Sequence, residues 1–109
     1  MNWKLTYYNS AVQKEILKLP KTLVARYLRF VDLMQEYGAN LGEPHTKALG
    51  DGLFELRLKG IEGIARIFYC TLIGKEIVIL HSFIKKTMKI PLKERAIAIK
   101  RMKEIKNGI

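Results

Sequence analysis

The chain has 109 residues, close to half of them apolar, and carries 20 Lys and Arg against 10 Asp and Glu, a formal net charge of +10. This length predicts one domain, 1–109, and the apolar content excludes a disordered chain. No apolar run approaches the ~20 residues of a membrane span, and "MNWKLTYYNS" lacks the apolar centre of a signal peptide. We therefore expect a cytoplasmic protein with no membrane partner.

The N-terminal third is predicted to form a strand and a helical hairpin. The stretch "WKLTYY" (3–8) is aromatic and β-branched, as strands are. Asn9 or Ser10 can cap the helix that follows, and Pro20 interrupts it. Apolar residues at helical spacing continue to Tyr37, so a helical hairpin is expected over 10–37.

Three strands and a last helix are predicted for the remainder. Residues 39–52 are typical of a loop, whereas "LFELRLK" alternates between apolar and polar residues. "GIARIFYCTL" (63–72) and "KEIVILHSFI" (75–84) follow short connections, which indicates an antiparallel meander. Pro91 opens a helix to about Lys106.

The predicted fold class is therefore α+β. A small antiparallel sheet, made of the N-terminal strand and the three-strand meander, packs against the N-terminal helical hairpin, and a C-terminal helix completes the domain. We expect the helices to cover one face of this sheet.

The positive charge is concentrated near the C-terminus. Residues 85–106 contain nine basic and two acidic residues. A localised positive field favours phosphate polyanions, such as nucleic acid or an acidic membrane surface, or an acidic protein partner. A solvated cationic surface is the alternative.

Metal and cofactor sites are not predicted. The two histidines, His45 and His81, and the single cysteine, Cys70, have no recognisable ligand spacing. The "GDG" at 50–52 is not followed by the Lys-Ser/Thr of a phosphate loop. Cys70 lies in "RIFYCTL" and is expected to be a buried core residue.

Two arginines on adjacent strands are the first candidate site residues. Arg57 lies on the polar face of its strand, and Arg66 lies among apolar neighbours. Because an unpaired buried charge is costly, Arg66 must bind an anion or stay partly in solvent; the alternative is a structural pair with Glu55 or Glu76. Both alternatives remain open at this stage.

The following strand places His81, Phe83 and Lys85 on one common face by its two-residue alternation. A face with two arginines, a histidine and lysines suits cleavage of an RNA phosphodiester without a metal. Cations would stabilise the phosphorane-like transition state, and His81 would transfer protons. Alternatively, His81 is a hydrogen-bonded core residue and the lysines are a solvated cluster.

Three motifs between Leu49 and Pro91 resemble a known toxin superfamily. They are Leu-Gly-Asp-Gly-Leu-x-Glu-Leu-Arg, Gly-x-x-Arg-x-x-Tyr, and Leu-His-x-Phe-x-Lys-Lys-Thr before a helix that begins with Pro. In this order they resemble the RelE/ParE toxin superfamily and its phage-related HigB-like branch.

The resemblance implies a RelE-like fold and the toxin of a type II toxin–antitoxin system. It implies a ribosome-dependent mRNA interferase that needs no cofactor, with the ribosome and mRNA as partners, and a cognate helix-turn-helix antitoxin that neutralises it. The predicted catalytic residues are Arg57, Arg66, His81 and Lys85. The predicted RNA- and phosphate-binding residues are Tyr69, Phe83, Lys86, Lys89, Lys93 and Arg95.

The C-terminal segment departs from the superfamily pattern. Many relatives have a catalytic tyrosine after the last strand, but residues 85–109 contain neither tyrosine nor histidine. His81, or a lysine with a lowered pKa, must then transfer protons, or catalysis is weak or absent. A ParE-like inhibitor of DNA gyrase and a plain RNA-binding module are the alternative functions.

Overall fold

A computed structural model describes residues 2–85 and 90–108 of the chain. The elements are, in chain order, β1 (Lys4–Tyr7), α1 (Ser10–Leu17), α2 (Lys21–Tyr37), β2 (Thr46–Gly50), β3 (Leu53–Gly60), β4 (Gly63–Leu72), β5 (Glu76–Lys85) and α3 (Leu92–Lys106). The five strands form one sheet in the order β1-β5-β4-β3-β2. The α+β class predicted from the sequence is confirmed.

The helical hairpin begins and ends at residues that the sequence indicates. The Asn9 side chain accepts a hydrogen bond from the Val12 backbone N–H at 2.9 Å and thereby caps α1. Pro20 precedes α2, and α2 ends at Gly38, whose φ of 117° suits glycine. No helix in the described residues is long and apolar enough to cross a membrane.

The sheet differs from the predicted one in two ways. The segment 39–52, predicted to be a loop, contains β2, which pairs antiparallel with β3. The turn between them is made by Gly50, Asp51 and Gly52, all with positive φ. The N-terminal strand β1 pairs parallel with β5, so the sheet is mixed and not purely antiparallel.

Both faces of the sheet are covered, whereas the sequence analysis placed all helices on one face. Ile67 and Tyr69 of β4 pack in a cluster with α1 and α2. The alternate residues Phe68 and Cys70 pack in a second cluster with Ala98 and Met102 of α3. The central strands are apolar on both sides, which requires a covering element on each face.

A β-bulge in β5 changes which of its residues face α3. Phe68 pairs with His81 and Tyr69 pairs with Ile79, which leaves Leu80 between them without a partner in the register. The Leu80 carbonyl accepts a hydrogen bond from Arg101 of α3 at 2.8 Å. Beyond the bulge, the odd-numbered residues of β5 share the face of the even-numbered residues of β4.

The core cluster beneath α1 and α2 is expected to dominate stability. Ile77 of β5 is fully buried there, whereas Ile73 in the β4–β5 turn is fully exposed. We expect Ile77→Ala to lower the free energy of unfolding by about 2–5 kcal/mol, because it removes buried methyl groups and leaves a cavity. The matched control Ile73→Ala should change it by less than about 0.5 kcal/mol. Urea unfolding followed by circular dichroism measures both, and equal losses would contradict this packing.

Candidate functional site

Three rows of paired residues run across β3, β4 and β5 on the face that α3 partly covers. Cross-strand pairing and the bulge place the members of each row side by side. The rows are Glu55–Phe68–His81, Arg57–Arg66–Phe83 and Lys59–Ile64–Lys85.

Glu55 is a fully buried carboxylate that binds both arginines. Its Oε1 accepts a hydrogen bond from Arg57 Nε at 2.9 Å, and its Oε2 accepts one from Arg66 Nη1 at 2.5 Å. Of the two partners considered for Arg66, Glu55 is the one in the structure, while Glu76 accepts a hydrogen bond from Thr6. One negative charge thus holds two positive charges, and the cluster keeps an excess of positive charge.

Arg66 retains an unsatisfied donor although its side chain is only 7% exposed. Within residues 2–85 and 90–108, its Nε has no hydrogen-bond partner. A buried guanidinium N–H without a partner is costly, so an anion that reached it would be bound strongly. The second arginine, Arg57, is 29% exposed, and its Nη1 lies 3.9 Å from the exposed carboxylate of Glu43.

Both arginines line a pocket of about 730 Å³ at the β3 edge of the sheet. Five of its lining residues are cationic and come from α2, β3, β4 and β5. The lining consists of Arg26, Phe30, Pro44, His45, Arg57, Lys59, Ile64, Arg66 and Lys85. A pocket with this charge and size accommodates a phosphate group and part of a nucleotide.

Lys85 is the titratable group most affected by this pocket. Partial burial, and then the positive charges of Arg66 and Arg57, lower the pKa of the Lys85 ammonium below its ordinary value, whereas Glu55 acts in the opposite direction. A lysine with a lowered pKa exchanges its proton more readily near neutral pH and can serve in acid–base catalysis.

His81 shares the face of the arginines but does not line their pocket. Its Nε2 lies 2.6 Å from Oε1 of Glu94, in the first turn of α3. Its Nδ1 has no hydrogen-bond partner in the part of the chain that the structure describes. The structure therefore brings Arg57, Arg66 and Lys85 together and directs His81 toward α3, which matches the alternative of a hydrogen-bonded core histidine.

The predicted RNA-binding aromatic residues have different environments. The half-buried ring of Phe83 lies next to Arg66 in the sheet, with its centroid 5.5 Å from that of Phe68. Tyr69 is fully buried on the opposite face, where its hydroxyl donates to the Ala39 carbonyl at 2.6 Å. This position contradicts the predicted stacking role of Tyr69, because burial in the core beneath α2 keeps its ring from any ligand.

The predicted basic residues are also divided. Lys93 is exposed at the start of α3, whereas Arg95 donates from Nη2 to the Leu49 carbonyl at 2.9 Å and ties α3 to β2. Lys86 and Lys89 lie outside the described residues. Arg95 thus has a structural contact of its own, away from the arginine pocket.

Several pocket residues were not identified from the sequence. Lys59 follows the same alternation as Arg57 and was detectable from it. Arg26 and His45 come from a helix and from a segment interpreted as a loop, and no sequence spacing connects them to β3. Only the folded chain places them beside the arginines.

One family model matches most of the chain. A model of the family described as phage derived protein Gp49-like matches residues 14–103. No curated protein matches the chain.

Two solved structures are similar to this one. An arginine double mutant of E. coli toxin RelE in the free state aligns with a TM-score of 0.67 and 16% identity over 94% of this chain and 99% of that chain. The archaeal RelE–RelB complex from Pyrococcus horikoshii OT3 aligns with a TM-score of 0.58 and 24% identity over 79% of this chain and 98% of that chain. The chain has the RelE-like fold and belongs to the phage derived protein Gp49-like family.

Proposed function

We propose that the protein is the toxin of a type II toxin–antitoxin system and acts as a ribosome-dependent mRNA interferase of the HigB-like branch. The Gp49-like family and the RelE-like fold support the toxin assignment. The observation that carries the catalytic assignment is the nearly buried Arg66, which lines a pocket together with Arg57 and Lys85 and, among the described residues, has one guanidinium N–H without a partner.

The arginine pair is the proposed phosphate site. Glu55 occupies one N–H of each guanidinium and fixes both side chains, so the remaining N–H groups are oriented before substrate binds. Guanidinium groups bind phosphate oxygens in a bidentate manner and remain charged at all relevant pH values. Fixed donors of this kind stabilise the extra negative charge of a phosphorane-like transition state.

Lys85 is the proposed general acid. In metal-independent cleavage the ribose 2′-hydroxyl attacks the adjacent phosphorus, and the leaving 5′-oxygen must receive a proton. The lowered pKa of the Lys85 ammonium makes it a better proton donor than an ordinary lysine. The sequence predicts proton transfer by His81, but we assign it to Lys85 because His81 lies against Glu94 and outside the pocket.

The ribosome and the antitoxin are the proposed partners in the cytoplasm. A small domain with few site residues can depend on the ribosome to orient the mRNA. Phe83 beside Arg66 offers a ring for an unpaired base, and exposed Lys93 of α3 offers charge for ribosomal RNA. The archaeal relative was solved as a RelE–RelB complex, and we propose that a cognate helix-turn-helix antitoxin neutralises this chain.

The first prediction concerns cleavage itself. In a purified translation system, primer extension should show discrete cuts within translated codons that disappear when ribosomes are omitted. Arg66→Ala and, independently, Lys85→Met should each reduce cleavage at least about 100-fold, because one removes transition-state charge and the other removes the acid.

The two substitutions differ in their expected effect on folding. Arg66→Ala leaves Glu55 with one partner fewer and can unfold the chain, whereas Lys85 is half-exposed and has no such contact with Glu55. Circular dichroism identifies the folded variants. Cleavage at the wild-type rate by a folded Lys85→Met protein would contradict the role assigned to Lys85. Growth arrest of cells with intact mRNA would favour the alternative function, inhibition of DNA gyrase.

The second prediction concerns the pH profile. Arg57 lowers the pKa of Lys85, so Arg57→Gln should raise that pKa toward its ordinary value. The general acid then stays protonated to higher pH, so the falling limb of the pH–rate profile should move to higher pH. The maximal cleavage rate should decrease, because one phosphate-binding arginine is lost. Lys75→Gln removes a positive charge from the β4–β5 turn and is the control, expected to leave the limb in place. An unchanged or lowered limb in Arg57→Gln would contradict the assignment.

The third prediction tests anion binding. Glu55→Gln removes the carboxylate that holds both arginines and should lower the free energy of unfolding by about 3 kcal/mol, since it leaves a buried charge unpaired. Added inorganic phosphate should then raise the Tm of this variant more than that of the wild type, because the anion replaces the lost charge. Equal Tm increases in thermal scans would argue against a phosphate site at these arginines.

A further inference from the structure

His45 is a further residue that lines the arginine pocket together with Lys85. It precedes β2, is exposed, and its backbone carbonyl accepts a hydrogen bond from the Arg57 N–H at 2.8 Å. Its ring centroid lies 4.8 Å from that of Phe30 on α2, with the ring planes tilted by 38°. The contact with Phe30 positions the imidazole, and the backbone hydrogen bond to Arg57 fixes the backbone of His45 beside β3.

The order of the strands places the two arginines between His45 and Lys85. Lys85 is on β5, Arg66 is on β4, Arg57 is on β3, and His45 continues the pairing of β2 beside Arg57. The four strands β5, β4, β3 and β2 are separated by three spacings of about 4.8 Å, which gives about 14 Å across the sheet. Both side chains line the same pocket as the two guanidinium groups, and in the order of the strands Arg57 and Arg66 lie between them.

This order matches what phosphodiester cleavage requires. The attacking and leaving oxygens lie roughly in line on opposite sides of the phosphorus. A base must therefore reach one side and an acid the other, while cations bind the oxygens between them. Imidazole is the side chain whose ordinary titration range lies nearest neutrality.

We infer that His45 is the general base of the cleavage reaction and acts across the phosphate from Lys85. The inference rests on the proposed function and adds a residue to it. An imidazole nitrogen of His45 removes the 2′-hydroxyl proton as the 2′-oxygen forms a bond to phosphorus. The bond from phosphorus to the 5′-oxygen breaks, and that oxygen takes a proton from the Lys85 ammonium.

The products and the state of the protein follow from this balance. The upstream RNA ends in a 2′,3′-cyclic phosphate and the downstream RNA begins with a 5′-hydroxyl. The protein is left with a protonated His45 and a neutral Lys85, and solvent returns both to their starting states. No oxidant, reductant or additional reactant is needed.

The charged groups around His45 come from every element that forms the pocket. They are Arg26 of α2, Arg57 and Lys59 of β3, Arg66 of β4 and Lys85 of β5, together with Glu43 two residues before His45 in the chain. Each of these can be substituted separately when the pH profile is interpreted.

The test uses the two histidines of the chain, His45 and His81, as a matched pair. The full-length wild type, His45→Gln and His81→Gln are assayed for ribosome-dependent cleavage from about pH 5.5 to about pH 9, on both sides of the imidazole range. For His45→Gln we expect kcat to fall about 100- to 1,000-fold with little change in KM, and the rising limb of the pH profile to disappear. His81→Gln should keep the rising limb, whatever the lost Glu94 contact does to its maximal rate.

Chemical rescue provides an independent readout. His45→Ala opens space at an exposed position of the pocket wall, and added imidazole should restore part of its activity in proportion to imidazole concentration. An increase in KM alone, with the rising limb retained, would show that the ring only contacts the substrate and would overturn the inference.

The outcomes distinguish a failure of the role inferred for His45 from a failure of the proposed mRNA interferase function. If the wild type cleaves mRNA and His45→Gln cleaves equally well, His45 is not the base, while the interferase function stands. If the wild type does not cleave ribosome-bound mRNA, the proposed function and the inference fall together. Loss of the rising limb in His81→Gln and not in His45→Gln would transfer the role to His81.

Discussion

The buried carboxylate of Glu55 is the interaction on which the site depends. A fully buried charge is tolerated only when it is paired, and Glu55 is paired with two guanidinium groups from adjacent strands. The same pairing fixes Arg57 and Arg66 side by side in the sheet. Because one carboxylate cannot neutralise two arginines, the arrangement that stabilises Glu55 also leaves a positive pocket. The contact that stabilises the buried carboxylate is thus also the one that orients the proposed anion site.

The β-bulge at Leu80 decides which residues of β5 meet these arginines. With it, Phe83 pairs with Arg66 and Lys85 pairs with Ile64. A register without the bulge would bring Ser82 to Arg66 in place of Phe83, since a one-residue shift moves every side chain to the other face. The bulge therefore places the Phe83 ring next to Arg66 and brings Lys85 to the pocket. The Leu80 carbonyl at the bulge accepts a hydrogen bond from Arg101, which holds α3 against the sheet.

The sequence predicted most elements but only part of the site. Alternation in "LFELRLK" and the apolar runs of the two central strands identified β3, β4 and β5, and Asn9 was foreseen as a cap. The strand β2 was missed because "TKALG" has no apolar alternation and forms by pairing with β3 through a positive-φ turn. The pairing of His81 with Glu94 was missed for a related reason, since it depends on where α3 docks. Local patterns report local structure, whereas these contacts join distant segments.

The positive charges of the pocket act on the substrate and on Lys85 at the same time. In the free protein partial burial, and then the positive charges of Arg66 and Arg57, lower the pKa of Lys85. A bound phosphodiester places a negative charge among them, which opposes this effect and favours the ammonium form. In the proposed mechanism this effect keeps Lys85 protonated when substrate is present, as a general acid must be. The arginines proposed to bind the phosphate would thus also act on the protonation of the proposed acid, and substrate binding and proton transfer would be coupled through one electrostatic field.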